Sequence, residues 1–219
     1  MNGCNGGNCQ TGSCDSPDGC RLPPGMLREY DLDQSIAEDI LVWIEIVRNG
    51  EQASLTSSSL KVLAETARIN NGRTIVGIIG DIELKLLYDE IFSYGAGTIY
   101  HVKDKRLKEF HCNAYCESLA DISQRIVPAA ILMASTERGN RIAFGLAAML
   151  NVKCITDSMH VELSGRSLKV KDRSLKEVSF ENFPQIATID ANNLPEPLKE
   201  EGRKGTVIYR QYNGCSLGE

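Results

Sequence analysis

The chain has 219 residues, of which 42% are hydrophobic and 24% charged, and these values are typical of a soluble globular protein. Its net charge of −5 disfavours nucleic acid as a partner, because phosphate binding requires a basic surface. No apolar run approaches the roughly 18–20 residues of a membrane span, and residues 1–30 lack the apolar stretch of a secretory signal. We therefore expect a cytoplasmic protein without membrane insertion.

The first predicted unit, residues 1–37, is rich in Gly, Asn and Ser and carries four of the eight cysteines in its first twenty residues. Thiols stay reduced in the cytoplasm, so clustered cysteines there indicate metal or redox chemistry rather than disulfides. An iron–sulfur cluster needs about four thiolates, and small residues between the ligands let backbone N–H groups approach the sulfides. We expect a cluster of the 4Fe-4S type bound by Cys4, Cys9, Cys14 and Cys20.

Two alternatives to that cluster stay open. The spacing C-x4-C-x4-C-x5-C lacks the C-x2-C-x2-C pattern of ferredoxins and fits the knuckles of a zinc site only in part. A segment without metal is the second alternative. Cys215 ends an Asn-Gly-Cys triplet that repeats residues 2–4. Because chain termini often lie close together, Cys215 is an alternative fourth ligand.

From residue 38 onward, short apolar runs alternate with segments of helical periodicity. Continuous apolar strands separated by helices are typical of parallel βαβ units whose sheet is buried on both faces. The sequence therefore predicts an α/β fold, a three-layer αβα sandwich with a mainly parallel sheet. We expect strands over 39–47, 74–80, 98–102, 129–135 and 152–156, and helices over 55–70, 81–97, 113–127 and 138–150.

The pattern changes in the C-terminal part of the chain. Residues 160–173 alternate between apolar and polar side chains around a Ser-Gly pair, which predicts an antiparallel hairpin. Residues 185–190 and 205–212 predict two further strands. We expect antiparallel strands in this part and assign residues 38–219 to one domain.

Ligands of doubly wound sheets bind at the carboxyl ends of the strands. Residues 135–141 join a predicted strand to a glycine-bearing helix start, where free N–H groups and the helix dipole favour an anion. No pattern indicates a catalytic residue, and a metal site at His111, Cys112 and Cys116 is a disfavoured alternative. The predicted cofactor contacts are Ser135, Thr136, Arg138, Gly139, Asn140, Arg141, Thr156 and Asp157.

Four stretches resemble the electron transfer flavoprotein alpha subunit family, in order and with compatible spacing. They read "DILVWIE" from residue 39, "YGAGTIYHV" from residue 94, "PAAILMASTERGNRIAFGLAAML" from residue 128 and "FPQIATI" from residue 183. The resemblance runs from about residue 38 to about residue 210. It implies the fold of that subunit's first domain, which is related to adenine-nucleotide alpha hydrolases, and it implies a beta-type partner subunit and a flavin.

Two departures from the family are visible. Family members continue into a second, FAD-binding domain whose pattern this sequence lacks, so we expect the chain alone to lack the family's main flavin site. The family's Gly-Arg-Asp reads Gly-Asn-Arg at residues 139–141, and Gly145 and Met149 replace two further arginines. The contacts of those family side chains therefore cannot be carried over.

Together these patterns predict an electron-transfer subunit of a flavoprotein complex in anaerobic metabolism. It would relay electrons between the flavin of a beta-type partner and the cysteine-bound cluster, serving a flavin-dependent reductase or dehydrogenase, without bond-making chemistry of its own. The expected cofactors are the cluster and FAD at the partner interface, with AMP less favoured. The alternatives are a structural docking subunit without a redox centre and an AMP- or FAD-binding module at residues 135–141.

Overall fold

The computed structural model describes residues 38–50, 52–71, 73–81, 85–180 and 182–214. The predicted cluster and the predicted domain boundary between residues 37 and 38 stay predictions. The cysteines assigned to the cluster lie outside the described residues; they are Cys4, Cys9, Cys14, Cys20 and the alternative ligand Cys215.

Apolar and β-branched runs form the strands, and amphipathic segments form the helices, as their residue types favour. The α-helices in the described residues are α1 (Ser57–Ile69), α2 (Lys85–Ser93), α3 (Cys112–Ile126) and α4 (Glu137–Leu150). The strands there are β1 (Ile40–Trp43), β2 (Ile46–Asn49), β3 (Gln52–Leu55), β4 (Thr74–Gly80), β5 (Thr98–Lys103), β6 (Ala130–Ala134), β7 (Cys154–Ser158), β8 (His160–Ser164), β9 (Ser167–Lys171), β10 (Glu177–Val178), β11 (Gln185–Ile189) and β12 (Thr206–Arg210).

Seven of the described strands form one parallel sheet, in the order β12-β5-β4-β1-β6-β11-β7. At its centre Val42 is aligned with Val76 on one neighbour and with Leu132 on the other. All three side chains are fully buried, as expected for strands covered on both faces. The predicted strands at 185–190 and 205–212 join this sheet as parallel members.

The order in which the chain adds strands to the sheet reverses at β1, although all the strands stay parallel. The chain passes from β1 to β4 and β5 on one side and then crosses to β6 on the other side of β1. The loops after β1 and β6 therefore leave the sheet in opposite directions and open a crevice between them. This reversal is where doubly wound sheets bind their ligands.

Helices cover both faces of the sheet, which confirms the predicted three-layer fold. Each fully buried Leu or Ile contributes about 1.5–3 kcal/mol relative to an exposed side chain. None of the described helices is both long and apolar enough to cross a membrane. One core includes Val62, Leu63 and Ile91 from α1 and α2, and the other includes Leu119, Ile122, Ile142 and Leu146 from α3 and α4.

Two antiparallel sheets lie outside the main sheet. The hairpin predicted over 160–173 is confirmed as β8 and β9, with Val161 opposite Val170 and β10 added at the edge of β9. The single strand predicted over 39–47 is wrong in its second half. There the N–H of Glu45 donates to Ser59 Oγ (3.1 Å), and the chain leaves the sheet to form the β2–β3 hairpin.

Candidate functional site

The predicted site lies at the carboxyl edge of the sheet, where β6 passes into α4. Thr136 caps the helix: its hydroxyl accepts a hydrogen bond from the N–H of Gly139 (3.0 Å). Gly139 is required there, because a Cβ would lie 2.0 Å from the carbonyl oxygen of Ala134. The glycine that the sequence analysis assigned to a ligand therefore has a packing role at this turn.

Four side chains at this edge bond to one another, and we call Ser135, Asn140, Asp157 and Thr188 the edge network. Ser135 Oγ donates to the Asp157 carboxylate, and Asn140 Nδ2 donates to the same oxygen (3.3 Å). Thr188 Oγ1 donates to Asn140 Oδ1 (2.7 Å) and accepts the N–H of Asp157 (2.9 Å). The network thus joins β6, β7, β11 and α4 through short side chains.

Asp157 carries the charge of the edge network. The hydrogen bond from Ser135, with further contributions from Asn140 and Arg173, holds the pKa of its carboxyl below the ordinary value. Its backbone is left-handed (φ 56°), a conformation that Asp and Asn adopt more readily than other non-glycine residues. Asp157 is therefore held as a carboxylate that points at the start of α4.

Glu45 is a second carboxylate at this edge, and the sequence analysis missed it. It lies just beyond β1, separated from Trp43 by Ile44, is 7% exposed, and accepts a hydrogen bond from Thr136 Oγ1 (2.8 Å). The sequence did contain a signal, since an acidic residue interrupts the apolar run Ile40–Ile46 at the end of a buried strand. Its placement identifies the loop after β1 as part of the site.

The two carboxylates change the chemistry expected at the start of α4. The partial positive charge of a helix N-terminus stabilises anions, and here Glu45 and Asp157 already provide negative charge. A free phosphate at the same place would compete with both carboxylates for the nearby cations, since Arg138 pairs with Glu45 (3.8 Å) and Arg173 pairs with Asp157 (3.3 Å). Hydroxyl and amide groups, which donate to carboxylates, fit this part of the edge better.

The two predicted arginines make no hydrogen bond to the edge network among the described residues, although Arg138 Nε lies 3.8 Å from the carboxylate of Glu45. The Arg138 guanidinium lies over the ring of Phe110 (5.1 Å to the centroid), and that of Arg141 lies over the same ring (5.5 Å). Such pairs are favourable because the face of an aromatic ring is negative. None of the network's hydrogen bonds among the described residues involves Thr156. The structure therefore groups Ser135, Asn140 and Asp157 but separates Arg138, Arg141 and Thr156 from them.

Two of the thiols in the described residues donate hydrogen bonds to backbone carbonyls of α4. Cys112 donates to the Arg141 carbonyl and Cys116 to the Ile142 carbonyl, both at 3.6 Å. Burial and the neighbouring Cys112 raise the pKa of Cys116 to about 12. The described part of the chain contains no group of three or more His, Cys, Asp or Glu positioned for a metal, so it does not support the alternative site with His111.

Comparisons with known proteins identify the family of the chain. The family model described as electron transfer flavoprotein domain matches residues 44–211. The chain is 23% identical over 166 residues to electron transfer flavoprotein subunit alpha of Bacillus subtilis (strain 168), covering 74% of this chain and 50% of that protein. It is 25% identical over 178 residues to Protein FixB of Azorhizobium caulinodans (76% and 48% covered). It is 22% identical over 157 residues to acryloyl-CoA reductase electron transfer subunit beta of Anaerotignum propionicum (71% and 40% covered).

The chain spans about half the length of the curated relatives it matches. The family model nevertheless covers most of this chain, from the end of β1 to the end of β12. The resemblance seen in the sequence is confirmed, and the chain belongs to the electron transfer flavoprotein family.

Proposed function

We propose that this chain is the alpha-type subunit of an electron-transferring flavoprotein complex and that it associates with a beta-type subunit. The observation that carries the proposal is the family match over residues 44–211. Relatives named as alpha subunits and as an electron transfer subunit of acryloyl-CoA reductase support the same role. The chain would position redox groups, and the flavin would supply the one- and two-electron chemistry.

The carboxyl edge fits part of a flavin nucleotide at the partner interface. The Asp157 side chain is 31% exposed and Arg141 is exposed, so both are open to a group held by a partner. Hydroxyl groups of a polyol chain would donate to Asp157, whereas phosphates would require cations. We therefore assign the polyol part, and not the phosphates, to the edge network.

Association and flavin binding are tested together. The complex is purified without oxygen from the native host, and its subunits and flavin content are determined. We expect a beta-type subunit and bound flavin, and we expect Asp157→Asn and Arg141→Gln to lower the flavin content. Arg125→Gln, at the C-terminal end of α3, is the matched control, and we expect it to leave the flavin content unchanged. A chain that purifies without a beta-type subunit and without flavin contradicts the proposal.

The finer part of the proposal is an iron–sulfur relay. Its support is the sequence alone: Cys4, Cys9, Cys14 and Cys20 supply the four thiolates that a cluster needs, with Cys215 as the alternative ligand. Electrons would pass between the partner's flavin and this cluster, and on to a reductase or dehydrogenase.

Iron and acid-labile sulfide measured on the anaerobic complex test the relay. A 4Fe-4S cluster requires about four of each per chain. Replacing a ligand cysteine by serine should lower the iron content, whereas Cys154→Ser, at the described thiol in β7, should not. Zinc in place of iron would contradict the relay. A flavin-loaded complex with no metal would also contradict it and would favour the structural docking role.

A further inference from the structure

A cavity of about 480 Å³ opens beside the carboxyl end of β4, and we call it the β4 cavity. It lies on the opposite side of β1 from the edge network, because β4 and β6 flank β1. Its volume falls within the range of small-molecule sites, about 300–1,000 Å³. The residues used below are Arg48, Gly80, Lys108, Phe110, Tyr115 and Arg138, all of which line it.

The walls of the β4 cavity are cationic, although the chain as a whole has a net charge of −5. Arg48, Lys108 and Arg138 line it, and Glu109 is the one acidic residue among its described lining residues. Asp81 bonds to Arg48 through one guanidinium nitrogen. A guanidinium carries five N–H donors, so Arg48 retains donors for an anionic ligand.

An aromatic wall stands beside these cations. The Phe110 ring packs edge-to-face on Tyr115 (4.9 Å between centroids), and Tyr115 packs in the same way on buried Trp43 (6.4 Å). The guanidinium groups of Arg138 and Arg141 lie over the Phe110 ring (5.1 and 5.5 Å to the centroid) and help to hold it in place. At Gly80 the floor carries no side chain, and the nearest atom to the position of an added Cβ is Arg48 Nη2 at 3.9 Å. A flat ring therefore has both a surface to pack on and room to enter.

We propose that the β4 cavity binds a phosphorylated nucleoside, with the phosphate on Arg48 and Lys108 and the base against Phe110 and Tyr115. Cations suit phosphate oxygens, and aromatic rings suit a planar base. This site goes beyond the proposed function. It is formed by this chain alone and lies apart from the edge network.

The test titrates the full chain with AMP, adenosine and inorganic phosphate. Trp43 is the only tryptophan of the chain and contacts the wall residue Tyr115, so its fluorescence reports ligand binding through that contact. Equilibrium dialysis measures the number of AMP bound. Thermal unfolding followed by circular dichroism verifies that each variant is folded. The same variants are compared in the complex with the beta-type subunit, where binding by the partner cancels in the comparison.

We expect one AMP per chain, with adenosine and phosphate each binding at least about tenfold more weakly, because adenosine lacks the charge-assisted contacts and phosphate lacks the base that packs on the aromatic wall. Arg48→Gln and Lys108→Gln should each raise the Kd for AMP about tenfold, and Phe110→Leu should also raise it. Arg125→Gln should leave it unchanged. The proposal is overturned if AMP does not bind, if phosphate binds as tightly as AMP, or if the cavity variants bind AMP like the wild type. Arg48→Gln and Lys108→Gln change residues outside the predicted flavin contacts, so loss of flavin from the complex remains an outcome separate from loss of AMP binding in these two variants.

Discussion

The polar residues on the two sides of the carboxyl edge differ in how many of their hydrogen-bonding groups are already paired. In the edge network, Ser135, Asn140, Asp157 and Thr188 bond to one another, and the partly exposed carboxylate of Asp157 is the group that stays open to the proposed flavin polyol. In the β4 cavity, on the other side of β1, long cationic side chains retain unused donors. Polar residues at a switch point therefore differ in role: those of the network side mainly join strands and offer one carboxylate, whereas those of the cavity side line an open space.

The lengths of the side chains explain this difference. Ser, Thr, Asn and Asp lose little rotamer entropy when ordered, whereas Lys and Arg lose up to about 2 kcal/mol each. Short side chains can therefore be fixed in a network at low cost. Long ones are ordered efficiently only when a ligand adds strong contacts.

The largest effect on stability is expected at Gly139, in the turn that leads from β6 into α4. Gly139→Ala would place a Cβ 2.0 Å from the carbonyl oxygen of Ala134, a backbone atom that cannot move aside easily. We expect a loss of about 3 kcal/mol in the free energy of unfolding, measured in urea. Gly145→Ala is the control in the same helix: its Cβ would meet the side-chain sulfur of Cys116 at 2.8 Å, and a side chain can shift. An equal effect of both substitutions would show that the turn at Gly139 is not special.

The second-largest effect on stability is expected at Thr188, in the edge network. Thr188 is fully buried, and Thr188→Val keeps its shape but removes a donor to Asn140 and an acceptor for the N–H of Asp157. We expect a loss of about 2 kcal/mol, because buried polar groups are left without partners. Thr206→Val, at an exposed position of the edge strand β12, should change stability by less than about 0.5 kcal/mol. Equal losses at the two positions would refute a structural role for the network.

Thr188 also shows where the sequence stops being informative. The strand Gln185–Ile189 could be predicted from its apolar residues, but not its insertion between β6 and β7, which brings Thr188 to Asn140. That pairing joins segments separated by tens of residues and depends on the sheet order. The βαβ alternation, in contrast, is local and predicts the three layers directly.

The residues after β6 show the same limit within the site. The Ser-Thr start of α4 and the need for Gly139 follow from local rules of helix capping and close packing. The partners of these residues do not: Glu45 reaches Thr136 from 91 residues away. The sequence therefore places residues 135–141 at the carboxyl edge of the sheet but does not reveal that Glu45 and Asp157 bring two carboxylates there.

A smaller effect on stability is expected from the negative charge of Asp157 in the edge network. Since the pKa of Asp157 is lowered in the folded protein, its carboxylate contributes stability above the ordinary aspartate pKa of 3.8, and this contribution is lost as the pH falls through the lower folded pKa. Wild type should therefore exceed Asp157→Asn in stability at pH 7, and this advantage should begin to fall below about pH 4, as the pH drops from the unfolded pKa toward the lower folded pKa. Asparagine tolerates the left-handed backbone, so the substitution changes mainly the charge.

Urea unfolding of both proteins at pH 7, 4.5 and 3.5 measures this difference. Asp121→Asn, on α3 beside Arg125, controls for the loss of one negative charge elsewhere. A difference between wild type and Asp157→Asn that stays constant down to pH 3.5 would rule out the carboxylate as its source.

The smallest effects on stability are expected at Arg48 and Lys108, in the β4 cavity. If Arg48 and Lys108 serve a ligand, their loss should matter little for folding. Lys108 is exposed and makes no ion pair among the described residues, so Lys108→Gln should be neutral within about 0.5 kcal/mol. Arg48→Gln breaks the pair with Asp81 and should cost at most about 1 kcal/mol, the upper range for ion pairs near a surface. A loss as large as that of Thr188→Val would mean that the cations hold the hairpin β2–β3 to the sheet, and the two sides of the edge would then share one structural role.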